Sequence, residues 1–65
     1  MPNFHVPDMT CDGCVRAITQ AIHATDPAAE VAAEVATHLV RVTSDQPAAR
    51  LVTAMQDAGF TPALA

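Results

Sequence analysis

Apolar residues alternate with polar ones in three short stretches of the chain. These stretches are residues 3–7, 30–35 and 39–43, where every second side chain is Phe, Val or Ala. A period of two is typical of a strand with one buried face, so each stretch predicts a β-strand. Because of its alanines, residues 28–36 also allow a helical interpretation, but the valine spacing favours the strand. Residues 36–38 then form the turn between the second and third strands.

Two further stretches repeat their apolar residues every three or four positions, which predicts amphipathic helices. The first begins at about residue 13, after Thr10 or Asp12 as the N-cap, and ends at Asp26-Pro27, because the residue before proline avoids helical torsions. The second follows Ser44 as a cap and Pro47 in its first turn. The apolar stripes of the two helices are Val15, Ile18, Ile22 and Leu51, Val52, Met55.

The C-terminal stretch completes the order of elements. Gly59 is expected to end the second helix, because glycine adopts left-handed torsions without strain. Residues 60–65 form a last strand, and Pro62 places it at a sheet edge because proline cannot donate to a ladder. The order β-α-β-β-α-β predicts an α+β, ferredoxin-like open-faced sandwich, with two helices on one face of a four-stranded antiparallel sheet. We expect residues 1–65 to form one domain.

Composition and charge exclude several classes of function. The chain has 65 residues, a net charge of −4 and three arginines as its only cations, so it cannot form the basic patch that binds nucleic acid. Its apolar runs are too short to insert into a membrane, and the N-terminus does not resemble a signal peptide, which predicts the cytoplasm. No carboxylate pair is placed for acid–base catalysis, and so small a domain leaves little room for a substrate cleft. We therefore expect that the protein is not an enzyme.

The candidate chemistry lies in Cys11 and Cys14, the two cysteines of the chain. A pair this close in sequence constrains little of the unfolded chain, so it indicates chemistry rather than a structural disulfide. Soft thiolates favour soft ions, above all Cu(I), whereas a structural zinc site usually has four ligands. His5, His23 and His38 lie on separate elements and are poorly placed to complete a zinc site.

Residues around the cysteines are expected to support the metal loop. At the start of a helix the pKa of the Cys14 thiol should fall, because the helix dipole favours an anion there. Gly13 keeps the loop compact and accessible, and Thr10 and Asp12 are expected to support it. Met9 either anchors the loop in the core or, as a thioether, adds a ligand. Arg16 either docks a partner and neutralises the site or is an ordinary solvated residue.

The segment Met9-Thr10-Cys11-Asp12-Gly13-Cys14, between a first strand and a first helix, resembles the Met-x-Cys-x-x-Cys motif of the heavy-metal-associated domain family. The family includes bacterial copper chaperones and modules of copper-transporting P-type ATPases. The resemblance implies that Cys11 and Cys14 bind Cu(I), and Thr10 is similar to the residue of copper members. Where members commonly carry Lys or Tyr near the metal, this chain has Phe60, which can only exclude water or pack in the core.

The resemblance implies a Cu(I) chaperone that passes its ion by ligand exchange to a copper-transporting P-type ATPase or another protein with a cysteine pair. Two copies sharing copper would form a metal-bridged homodimer. A carrier of mercury, zinc or cadmium remains an alternative. So does a thiol-disulfide oxidoreductase, although that class usually has an aromatic residue before its Cys-x-x-Cys and a proline within it.

Overall fold

The computed structural model describes residues 3–65 and has the predicted order of elements. The bounds are β1 (Asn3–His5), α1 (Asp12–Thr25), β2 (Glu30–Glu34), β3 (Leu39–Thr43), α2 (Ala48–Asp57) and β4 (Ala63–Leu64). Residues 30–34 are extended, so the strand interpretation of this stretch is confirmed over the helical one. Within residues 3–65, no helix is long and apolar enough to cross a bilayer.

The four strands form one antiparallel sheet in the order β2-β3-β1-β4. The ferredoxin-like prediction is therefore confirmed, and β4 lies at the edge that Pro62 required. However, β4 is two residues long, shorter than the predicted 60–65. The N–H of Phe60 donates to the Met55 carbonyl and that of Thr61 to Asp8, and Pro62 has none. These three residues therefore have no donor left for a ladder.

The core lies between the helices and one face of the sheet. Opposed pairs such as Phe4 with Val40 and Val31 with Val42 point to this face, while His5 and Arg41 are exposed on the other. Alternation along each strand thus separates a packed face from a solvent face. The fully buried side chains are Phe4, Val6, Met9, Ile18, Ile22, Val40, Val42, Leu51 and Met55.

The capping predictions for α1 are wrong at its start and right at its end. The N-cap is Cys11, with φ −154° and ψ 169°, and no side chain caps the helix. Thr10 therefore precedes the cap and Asp12 is the first helical residue, because the backbone is extended at Cys11 and helical from Asp12 onward. The helix ends as predicted, where the N–H of Asp26 donates to the Ile22 carbonyl at 2.8 Å.

The start of α2 also differs from the prediction. Pro47 is the N-cap rather than a first-turn residue, and its carbonyl accepts the N–H of Arg50 at 3.0 Å. Ser44 does not cap the helix. Its Oγ donates to Oδ2 of Asp26 at 2.6 Å and accepts the N–H of Gln46 at 3.0 Å. Ser44 thereby ties the loop before α2 to the end of α1.

Gly59 ends α2 as predicted. Its φ is +96°, its N–H donates to the Gln56 carbonyl at 2.9 Å, and the next N–H, of Phe60, reaches back to Met55 at 3.0 Å. This pair of bonds is the Schellman motif, in which a left-handed residue lets the chain satisfy the last helical carbonyls. The motif turns the chain so that Phe60 packs against the core.

Candidate metal site

Cys11 and Cys14 lie where the β1–α1 loop enters the helix. The carbonyl of Cys11 accepts the N–H of Cys14 at 3.0 Å and that of Val15 at 3.2 Å, which closes the first turn. Cys11 is exposed, whereas Cys14 is half-buried against the core. One sulfur is therefore open to solvent, and the other is held by packing.

The two sulfur atoms converge on one point. Their Sγ atoms are 3.2 Å apart, and both cysteines are free thiols. A Cβ on Gly13 would lie 3.7 Å from the Cys11 sulfur, so glycine leaves the space beside that sulfur open. The spacing of two intervening residues thus produces a compact pair of soft donors at the surface.

The surroundings of Cys14 favour its thiolate. The backbone N–H of Thr10 lowers the pKa of the Cys14 thiol most, and the hydrogen bond with the Cys11 thiol lowers it further. Desolvation acts in the opposite direction and is the smaller effect. A hydrogen bond to the charged form stabilises that form, so Cys14 stays available as an anionic ligand at lower pH.

The other predicted site residues occupy distinct positions around the pair. Met9 is fully buried in the core and anchors the start of the loop, whereas Thr10 and Asp12 are exposed on either side of Cys11. Arg16 is exposed on the first turns of α1, and Phe60 is half-buried on the loop that follows α2.

Two contacts that sequence reasoning did not assign to the site tie the metal loop, residues 8–14, to other elements. Oδ1 of Asp8 accepts the N–H of Thr61 at 3.3 Å, which joins the metal loop to the α2–β4 loop. Nδ1 of His38 lies 3.0 Å from the carbonyl oxygen of Met9. The partners of these bonds are 53 and 29 positions apart, so no local sequence signal marks them.

The histidines do not join the cysteines. Among residues 3–65, no group of three or more His, Cys, Asp or Glu side chains is placed to hold a metal. His23 bonds the Ala29 carbonyl at 3.0 Å, and the ring of His5 stands edge-on to that of His38 at 5.9 Å. The donor set in this part of the chain is therefore two thiols, which suits a soft ion of low coordination number.

Comparisons with known proteins agree with this geometry. A gold binding protein of known crystal structure is 37% identical over 100% of both chains, with a TM-score of 0.96. The copper chaperone Atx1 from Synechocystis PCC6803 is 30% identical over 94% of this chain and 97% of its own, with a TM-score of 0.92. The protein Atu1203 of Agrobacterium tumefaciens is 41% identical over 91% of this chain and 92% of its own, with a TM-score of 0.83.

A search of curated protein sequences finds no match. The model of the heavy-metal-associated domain matches residues 3–61, nearly the whole chain, and this stretch includes both cysteines and all of the elements except β4. Fold, cysteine placement and family model thus agree, and the chain belongs to the heavy-metal-associated domain family.

Proposed function

We propose that this chain is a cytoplasmic, non-enzymatic Cu(I) metallochaperone that carries its ion between Cys11 and Cys14. The observation that carries the proposal is the 3.2 Å approach of the two free sulfurs on an exposed loop. Two thiolate ligands are enough to coordinate Cu(I), whereas a structural zinc site usually has four ligands. The likeness to a copper chaperone supports the same metal.

The exposure of the loop suits a carrier rather than a store. Because Cys11 is exposed, a partner thiolate can approach the ion and form a third metal–sulfur bond. The bond to one chaperone sulfur then breaks, and a second partner thiolate replaces the remaining one. The released sulfurs take up the protons that the partner thiols lose. No electron is transferred in these exchanges, so copper stays Cu(I) throughout. The proposed partner is a copper-transporting P-type ATPase or another protein with a cysteine pair.

Metal loading has a geometric requirement. A metal–thiolate bond is about 2.3 Å in zinc sites, so two sulfurs on opposite sides of one ion lie about 4.6 Å apart. The sulfurs are 3.2 Å apart here and must separate. Cys14 is packed against the core, so we expect the exposed Cys11 to make most of this movement.

The test is an oxygen-free competition of the reduced protein against a coloured Cu(I) chelator, repeated with Zn(II). We expect one Cu(I) held tightly per chain and weak zinc binding. Cys11→Ser should lose tight binding, because a hydroxyl is a hard and mostly protonated ligand. Thr10→Ser, which alters an exposed neighbour, is the control and should keep it. If Cys11→Ser competes as well as the parent, the two-thiolate proposal is wrong.

Docking is tested separately from binding. We propose that Arg16, exposed close to the cysteines, contacts the partner, so Arg16→Glu should slow copper transfer without changing affinity in the competition. Arg50→Glu, an equal charge reversal on α2, is the control. Equal transfer rates for the two variants would exclude this role.

Two copies could also share copper through their cysteine pairs. Because Cys11 is exposed, two sites can face each other without refolding. Sedimentation of the Cu(I)-loaded chain should then show a dimer that the metal-free chain does not form. A monomer at all concentrations would rule out the metal-bridged homodimer.

Gold(I) is a second candidate cargo, favoured by the likeness to a gold binding protein over the full length of both chains. Au(I) is also a soft ion that two thiolates can hold, so the donor set does not separate the two metals. Direct competition of Au(I) against the Cu(I)-loaded protein decides the question. Retention of Cu(I) supports the copper proposal, and its displacement by stoichiometric Au(I) supports the gold one.

A further inference from the structure

His38 occupies an unusual backbone position in the turn between β2 and β3. Its φ is 58°, and it is the one residue other than glycine among residues 3–65 with a positive φ. Glycine or asparagine adopts this conformation most readily. The hairpin turn alone does not require an imidazole, so the contacts of the ring indicate its role.

His38 holds both ends of the turn that leads into the metal loop. Its carbonyl accepts the N–H of Val6 at 2.7 Å, and its ring Nδ1 lies 3.0 Å from the carbonyl oxygen of Met9. A carbonyl only accepts, so Nδ1 carries the proton and donates. The N–H of Met9 in turn donates to the Val6 carbonyl at 3.0 Å. Residues 6–9 thus form a turn that His38 holds at both ends, at Val6 and at Met9.

The bond to Met9 reaches the cysteines through a single peptide group. The carbonyl of Met9 and the N–H of Thr10 belong to the same planar unit and point in opposite directions. His38 binds the carbonyl side, while the N–H side belongs to Thr10, the residue directly before Cys11. Rotation of this unit would therefore break the bond to His38 and shift the backbone that leads into Cys11.

We propose that His38 is a positioning residue, which orients the Met9–Thr10 peptide and thereby the backbone that leads into Cys11. The inference rests on the proposed function in so far as the cysteines are metal ligands. Groups that orient a ligand from outside the coordination sphere commonly contribute to metal affinity. His38 would play this part through the backbone instead of touching the sulfur.

Three substitutions at position 38 separate donation from backbone shape. His38→Asn keeps a donor at the place of Nδ1 and tolerates positive φ. His38→Asp has the same shape but cannot donate, and His38→Gly removes the side chain without adding charge. The control is His23→Ala, which removes another ring–carbonyl bond far along the chain, at Ala29. Thermal melts establish that each variant folds.

The first measurement uses reduced, metal-free protein and follows amide hydrogen exchange of Thr10 by NMR. We expect His38→Asp and His38→Gly to speed this exchange about five-fold, the ratio that one hydrogen bond of ordinary net strength supports. His38→Asn and His23→Ala should match the parent. Parent-like exchange in both His38→Asp and His38→Gly would overturn the proposal, as would equal acceleration in His38→Asn.

The second measurement is the Cu(I) competition on the same proteins. Loss of a ligand-orienting contact commonly lowers metal affinity 10–100-fold, so we expect about a 10-fold loss in His38→Gly and near-parent affinity in His38→Asn. Equal affinity of His38→Gly and the parent would overturn the role in metal binding. If the parent itself takes no Cu(I), the proposed function fails, while the exchange measurement still decides whether His38 orients the peptide.

Discussion

Replacing Gly59 with alanine tests whether the left-handed end of α2 contributes to stability. A Cβ at Gly59 meets no atom within 4 Å, so the substitution introduces no steric clash with the rest of the molecule. The whole effect must come from the backbone, since φ is +96° and a non-glycine residue pays about 1–2 kcal/mol to adopt left-handed torsions. We therefore expect Gly59→Ala to lower the free energy of unfolding by about 1–2 kcal/mol.

Gly13→Ala is the matched control, because the same methyl group is added where φ is not positive. Its Cβ would lie 3.7 Å from the Cys11 sulfur, an ordinary van der Waals contact. Gly13 is the second residue of α1, and alanine is favoured over glycine by up to about 1 kcal/mol in a helix, so this substitution should stabilise the protein. Adding the same methyl group should thus lower the free energy of unfolding at Gly59 and raise it at Gly13.

The assay is urea unfolding of the reduced, metal-free protein, followed by circular dichroism. Thermal melts are a second measurement that resolves both effects, because a change of 1 kcal/mol in a domain of this size shifts Tm by about 4–8 °C. The reasoning is refuted if Gly59→Ala is as stable as the parent, or if both substitutions shift stability in the same direction. A changed urea m-value would instead indicate an altered unfolded state.

Three further predictions concern the core, the thiol and the loop before α2. Met9→Ala should lower the free energy of unfolding in urea by about 2–5 kcal/mol, because the side chain is fully buried. Met9→Leu should lower it by less than about 1.5 kcal/mol and bind Cu(I) like the parent. Weakened Cu(I) binding by Met9→Leu would instead show that the thioether is a ligand. The pKa of the Cys14 thiol is lowered on folding, so its alkylation should turn on at lower pH in the native chain than in urea. The corresponding stabilisation is present above the unfolded pKa and disappears as pH falls through the folded one, and coincident alkylation profiles would contradict it. Ser44→Ala should lower stability by about 1 kcal/mol through its bond to Asp26, measured against Ser44→Thr, and no change would show that the bond contributes nothing.

The architecture was predictable because its signals are local. The spacing of Val31, Ala33, Val40 and Val42 distinguishes strands from helices without knowledge of the fold. Gly59 likewise ends its helix through its own torsions. The two cysteines were also recognisable from local spacing, since two intervening residues at a helix start suffice to bring the sulfurs within 3.2 Å.

The errors arose where several neighbours offered the same chemistry. Thr10 and Asp12 are both good capping residues, yet the cap is Cys11, because the burial of Met9 in the core fixes where the loop enters the helix. Ser44 is also a good cap in isolation, but its hydroxyl is used by Asp26, 18 positions away. Such choices depend on tertiary contacts, which local spacing does not encode.

The fastening of the metal loop from several directions limits how far its chemistry can be transplanted. Met9 anchors the loop in the core, His38 binds it from one hairpin, and Asp8 binds it to the loop after α2. Grafting residues 8–14 onto another scaffold would therefore transfer both thiols without the restraints that orient them. A new scaffold would also need a hydrogen-bond donor facing the Met9 carbonyl and a backbone N–H facing the Asp8 carboxylate. The site can therefore be transferred only as the loop together with the turn that carries His38 and the segment that carries Thr61.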